Sequence, residues 1–160
     1  IIKDCIEMFA RAVITPGVRN MYLYPQPADI GCIYCPAGVG LSPWGFGCYH
    51  PILYYGKCPY LATGKGHRPN SLSSHETAKK NGHPCPKPVG WMCFMIRKAS
   101  LEGETILDPF MGSGSTLVAA KKLGRRAVGI EMTERYCEIA AKRLGKVPTE
   151  APKKSGVFFS

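Results

Sequence analysis

The sequence predicts an α/β fold in which helices lie over a largely parallel sheet, and three observations carry that expectation. From Thr105 to Leu144 the pattern runs strand, glycine turn, helix, strand, helix, an order whose parallel strands need a right-handed crossover. Hydrophobic residues make up 45% and charged residues 20%, a globular balance that excludes disordered and fibrous chains. The 160 residues amount to about one domain on the prior of ~100–200 residues each. The longest apolar run, Trp91 to Ile96, falls far short of the ~18 residues a membrane span needs.

Taken in order, residues 1–12 read as the end of an amphipathic helix, with Ile2, Ile6, Phe9 and Val13 near helical spacing. Val13 to Thr15 is a short buried strand, stopped by Pro16-Gly17. Eleven prolines between Pro16 and Pro88 argue against long helices there. Ile30–Tyr34 and Pro51–Tyr55 are strands on β-branched and aromatic content. Residues 57–82 have little apolar content and read as a long exposed loop. Pro88 suits the first turn of a helix running to Ala99, apolar nearly all round and so buried on more than one side. Thr105–Leu107 is a buried strand, Gly112–Ser115 a turn, and a helix follows to Leu123 with Gly124 as its stop. Ala127–Ile130 is the next strand. Thr133 then caps a helix whose Tyr136, Ile139, Ala140, Arg143 and Leu144 share a face, with Gly145 as its stop. Residues 1–147 are taken as one domain and 148–160 as a tail.

The net charge of +10 is uneven. Residues 1–56 balance to zero, whereas residues 57–98 carry eight Lys/Arg against Glu76 alone. Such a one-sided segment is an electrostatic footprint for a polyanion, most simply nucleic acid, with a solvated basic loop as the alternative. Eight cysteines invite a zinc or disulfide reading. Cys32 and Cys35 form a CxxC without a second one, and the other Cys and His spacings match no zinc module. Reduced thiols in a cytoplasmic protein, with no metal, are the expectation. The chain opens on Ile1 without a secretory leader, which reads as a piece of a longer product.

The chemistry concentrates between Thr105 and Glu131. Asp108 ends one strand, Glu131 ends the next, and Gly112 and Gly114 let backbone approach a ligand at a helix N-terminus. A nucleoside triphosphate site needs GxxxxGK[ST], and no lysine follows Gly114. A dinucleotide site wants GxGxxG, and Leu117 stands at the third glycine. S-adenosylmethionine fits better. It carries an ammonium, a sulfonium and a ribose diol but no phosphate, so it favours Asp108 near the ammonium and Glu131 on the ribose. An ordinary strand-to-helix turn with incidental acids is the bland alternative.

DPFMGSGST followed by GIEMTERY resembles motifs I and II of the DNA amino-methyltransferases that modify adenine N6 or cytosine N4. HPCPKPVGWM, from His83, is similar to their motif X, and the order of motifs matches the β-type, circularly permuted arrangement of prophage-like members. The resemblance implies a Rossmann-like S-adenosylmethionine-dependent fold acting on double-stranded DNA. In it Asp108, Phe110, Gly112, Ser113, Gly114 and Ser115 would form the cofactor turn. Glu131 would hold the ribose, Met132 would lie against adenine, and His83, Lys87 and Pro88 would close the methionine end. Ser115 replaces the commoner threonine and keeps the hydroxyl. Residues 57–82 occupy the place of the target-recognition region, with Lys57, Lys65, Arg68, Lys79 and Lys80 as DNA contacts.

One departure stands out. These enzymes carry [DNS]PP[YFW], which receives the flipped base and its amine protons, and no Pro-Pro occurs here. Ser42-Pro43-Trp44 lacks a proline and falls out of order. The resemblance therefore places the catalytic motif upstream of Ile1, leaves the fold without that strand, and makes this chain a C-terminal portion. Such a portion should bind cofactor weakly and not methylate DNA alone, adenine being the favoured target of the whole enzyme. Its missing N-terminal segment or a homodimer partner would complete it. Two other classes remain open: a non-catalytic nucleic-acid-binding module, and a nicotinamide-dependent oxidoreductase.

Overall fold

The computed structural model describes residues 2–147. The expected tail at 148–160 lies outside them. The chain divides into two compact units, Ile1–Glu76 and Thr77–Ser160, so the boundary falls inside the basic segment.

In the first unit a short helix α1 (Ile2–Met8) leads into β1 (Arg11–Ile14), a 3-10 helix (Val18–Leu23) and β2 (Asp29–Tyr34). A hairpin of β3 (Gly40–Ser42) and β4 (Gly45–Gly47) precedes β5 (Tyr49–Gly56), the longest strand. The segment expected as an unbroken loop instead holds a one-turn helix α2 (Pro59–Ala62) and a short strand β6 (Leu72–Ser73). Its reason is anchoring. Tyr54 donates its hydroxyl to the Asn70 carbonyl at 2.9 Å, and Asn70 Nδ2 donates to the Asp29 carboxylate at 3.2 Å. Asn70 lies so close to Gly31 that any side chain there would run into its carbonyl.

The sheet order is β1-β5-β2-β6, with β5 antiparallel to both neighbours and only β6 parallel to β2. Ile33, Ile52 and Leu53 are its core, at 0%, 0% and 2% exposure. The largely parallel sheet expected is thus found in the second unit, whereas the first is antiparallel apart from the short β2–β6 pair. In the first, the antiparallel β2–β5 pair is joined through a Gly-rich excursion too short for a crossover helix.

The second unit runs α3 (Val89–Ala99), β7 (Thr105–Asp108), α4 (Ser115–Lys122), β8 (Arg126–Gly129) and α5 (Glu134–Gly145). β7 and β8 pair in parallel, with Asp108 opposite Gly129. Trp91, Met92, Met95 and Ile96 of α3 are buried, as the all-round apolar pattern requires, and Thr116 Oγ1 of α4 lies 3.5 Å from Met92 Sδ. Three helix ends differ from expectation. Pro88 is the N-cap residue of α3 rather than a member of its first turn. Thr133 occupies the N-cap of α5 but its hydroxyl makes no capping bond. Gly145 is the last helical residue, without the left-handed φ of a stop, whereas Gly124 has φ +66 as expected.

Ala127 and Gly129 turn toward α4 and the turn before it, where Leu117 of the helix and Met111 of the turn leave no room for a Cβ at Gly129. The opposite face presents Leu107 at 36% and Val128 at 53% exposure, directly paired, with Ile130 beyond. No helix among the described residues is long and apolar enough to cross a membrane. Nor, among them, does any group of three or more Cys, His, Asp or Glu side chains have the arrangement to hold a metal ion.

Candidate functional site

The two strand ends and the turn between them build one site within the second unit. Parallel pairing brings Asp108 and the residues after Gly129 side by side. The ladder is continued by Ile130, whose N–H donates to the Asp108 carbonyl at 2.9 Å and whose carbonyl accepts from Met111 N–H at 3.0 Å. The chain can then turn sharply because Gly112 and Gly114 adopt φ +49 and +75, values that disfavour any side chain. Crowding excludes one as well. A Cβ at Gly112 would lie 2.9 Å from His83 Nε2, and one at Gly114 would lie 2.8 Å from the Ala140 Cβ.

The carboxylates are half-buried and differently engaged. Asp108 Oδ1 accepts the N–H of Phe110 at 3.0 Å, and its other oxygen has no partner among the described residues. Glu131 bridges two backbone segments: Oε1 accepts from Thr133 N–H at 2.8 Å and Oε2 from Gly112 N–H at 3.1 Å. These amides, Thr133 first, hold its carboxyl below the usual carboxylate range. Each of its oxygens retains a lone pair for a further donor.

Of the remaining expected residues, His83 lies beneath the turn. Its Nδ1 accepts the Cys85 N–H at 3.2 Å, and its ring meets Tyr136 edge-on at 4.6 Å between centroids. Pro88 is buried and Lys87 half-buried, the latter contributing its carbonyl as acceptor for Ser115 Oγ at 2.8 Å. Phe110 and Met132 are 63% and 99% exposed beside the two strand ends. Ser113 and Ser115 are buried, and their hydroxyls point into the protein. Ser113 Oγ accepts from Asn81 Nδ2 at 3.1 Å and from Arg143 Nη1 at 3.0 Å. With both hydroxyls engaged inside the protein, the backbone of Gly112–Ser115 is the part of the turn left able to meet a ligand.

Sequence reasoning missed Asn81 and Arg143 at this site. The signal for Arg143 was present: it is the one cation on the apolar face Tyr136, Ile139, Ala140, Arg143, Leu144. A separate cavity beside the start of β8 is lined by Leu117, Lys121, Arg125, Ala127 and Leu144. Its cations are occupied with helix ends, Lys121 Nζ donating to Leu144 O at 3.0 Å and Arg125 to the Ser100 and Leu123 carbonyls.

All five basic candidates are exposed, Lys57, Lys65 and Arg68 in the first unit, Lys79 and Lys80 in the second. Arg68 is held in place by the Tyr60 ring, its guanidinium carbon 3.7 Å from the centroid.

Comparison with known proteins adds the following. Residues 29–142 match a family described as DNA methylase. The chain is 50% identical over 62 residues, 39% of its length, to the type II methyltransferase M2.DpnII of Streptococcus pneumoniae, covering 23% of that protein. It is 46% identical over 79 residues, 49% of its length, to M2.LlaDCHI of Lactococcus lactis subsp. cremoris, covering 29% of it. The matched stretch thus spans about a quarter of these relatives. Among solved structures, an M1.HpyAVI–SAM complex superposes with TM-score 0.59 at 24% identity, over 89% of this chain and 67% of that one. The PvuII cytosine-N4-specific DNA methyltransferase gives 0.57 at 20% identity, over 72% and 50%. Both likenesses concern the fold.

Proposed function

The chain belongs to the DNA methylase family matched over residues 29–142, and on that premise we propose that its second unit holds S-adenosylmethionine for methyl transfer to an exocyclic amine of DNA. The observation that carries the reading is the pair Asp108 and Glu131, two carboxylates at neighbouring parallel strand ends around a turn in which Gly112 and Gly114 admit no side chain. The donor set fits that ligand: Asp108 Oδ2 would accept from the ammonium, and Glu131 would accept the ribose hydroxyls while keeping its backbone bonds. Phe110 and Met132, exposed beside the acids, would flank the adenine, and His83, Lys87 and Pro88 would close the methionine end.

S-adenosylmethionine supplies an electrophilic sulfonium methyl. The amine of adenine N6 or cytosine N4 is a weak nucleophile, its lone pair delocalised into the ring, so in-line orientation matters most. This chain has no Pro-Pro, so the group that orients the base would come from outside its 160 residues. Alone it binds cofactor weakly and does not methylate DNA. Lys57, Lys65, Arg68, Lys79 and Lys80 would contact phosphates and so position duplex DNA with little base readout. Adenine N6 is the favoured target, in a type II modification or prophage setting within the cytoplasm.

The test follows the Gly112 and Gly114 amides by NMR while S-adenosylmethionine, NAD and ATP are each titrated into the chain. A saturable response to S-adenosylmethionine alone is expected. A response to NAD or ATP instead, or none to S-adenosylmethionine, overturns the reading. In the second case DNA binding without cofactor binding would favour a non-catalytic nucleic-acid-binding module, which the missing Pro-Pro also suits.

A further inference from the structure

We infer that Arg143 is a positioning residue for the glycine turn, acting through Ser113 and Ser115 to hold the backbone that receives the cofactor; this rests on the reading just proposed. The turn is gripped from one element, α5 and its lead-in, by groups of opposite polarity on consecutive residues. Glu131 accepts the N–H of Gly112, and Arg143 donates to the carbonyl of Ser113. Arg143 also donates to Ser113 Oγ at 3.0 Å and, through both terminal nitrogens, to Ser115 Oγ at 3.3 Å. Between the two serines, Ala140, one turn before Arg143, closes on Gly114.

The planar fork suits the task. Three acceptors on two residues are met by one rigid guanidinium, whereas a lysine ammonium reaches them only as a point donor. Asn81 and the Lys87 carbonyl complete the lattice through the same two serine hydroxyls. Ser113 and Ser115 are 3% and 6% exposed, and losing the guanidinium would take from the Ser113 carbonyl its partner among the described residues while leaving each hydroxyl one other bond. Partial burial also holds the Arg143 guanidinium below its usual pKa. No side chain of this lattice lies on β7 or α3. Its loss should therefore loosen the turn while leaving those elements intact.

The experiment compares the wild-type chain with Arg143→Met and Arg143→Lys, first by hydrogen exchange without ligand, then by S-adenosylmethionine titration. Arg143→Met is expected to speed exchange of the Gly112 and Gly114 amides about tenfold, with β7 and α3 amides unchanged. It should also weaken S-adenosylmethionine about tenfold, with Arg143→Lys recovering part of both losses. Equal exchange and affinity in Arg143→Met would overturn the inference, as would acceleration shared by turn, β7 and α3, the mark of a merely structural residue. Should Arg143→Met not fold, Arg143→Lys decides by the same criterion: turn amides alone accelerated supports it, no change overturns it. Wild-type chain that ignores S-adenosylmethionine would sink the cofactor reading. The exchange data would still judge Arg143's hold on the turn.

Discussion

At the scale of single residues, the two carboxylates perform different work and predict different phenotypes. Asp108 uses one oxygen on Phe110 N–H and keeps the other without a partner among the described residues. Asp108→Ala should therefore weaken S-adenosylmethionine by about 1.5–3 kcal/mol, the range for a hydrogen bond to a charged group, as read by titration; unchanged affinity would remove it from the site. Glu131 is tied to backbone first. Its carboxyl titrates lower folded than unfolded, so its contribution is present above the ordinary carboxylate range and lost as pH falls through its depressed value. Acidification should then broaden the Gly112 and Thr133 amide resonances together, and Glu131→Gln should broaden them already at neutral pH. The positions of both acids were legible in the sequence because each ends a short β-branched run. The inward aim of Ser113 and Ser115 was not. Side-chain direction inside a turn depends on the left-handed φ of its glycines and on Arg143 of α5, 30 residues after Ser113 in the chain.

Among elements, the second unit could be read almost directly and the first could not. The strand–helix alternation of β7, α4, β8 and α5 is local: period and capping signals act within a dozen residues, and observed bounds fall within two residues of expectation. The hairpin β3–β4 has no such signal. Its strands are three residues each, glycine-rich, with Leu41 and Phe46 paired and exposed, so no buried face imposes a period. β6 is brought beside β2 by Asn70 and Ser71, which bond to Tyr54, Asp29 and Cys32 across long sequence separations. Two substitutions probe these elements by thermal or denaturant unfolding. Gly114→Ala forces a left-handed side chain against Ala140, an expected loss of about 1–3 kcal/mol. Ile52→Ala in β5 empties a fully buried position, an expected loss of about 2–5 kcal/mol. A loss below about 0.5 kcal/mol in either case, the range of surface substitutions, would contradict that packing.

For the whole molecule, the excess of positive charge is the property with the longest reach. Log affinity for duplex DNA should fall linearly with log salt, and Lys57→Gln, Lys65→Gln and Arg68→Gln should each reduce that slope by about 0.9 if they touch phosphate. A slope unchanged in the triple variant would place the nucleic-acid surface elsewhere. The paired Leu107 and Val128, with Ile130, lead to the opposite salt response. A parallel sheet is ordinarily clothed on both sides, and one left bare is adhesive. Sulfate or phosphate salts, excluded from protein surfaces, should drive copies of the chain to cluster through that bare side. If both predictions hold, ionic strength would act on this protein in two senses at once, loosening its hold on a polyanion while lowering the concentration at which it stays dispersed.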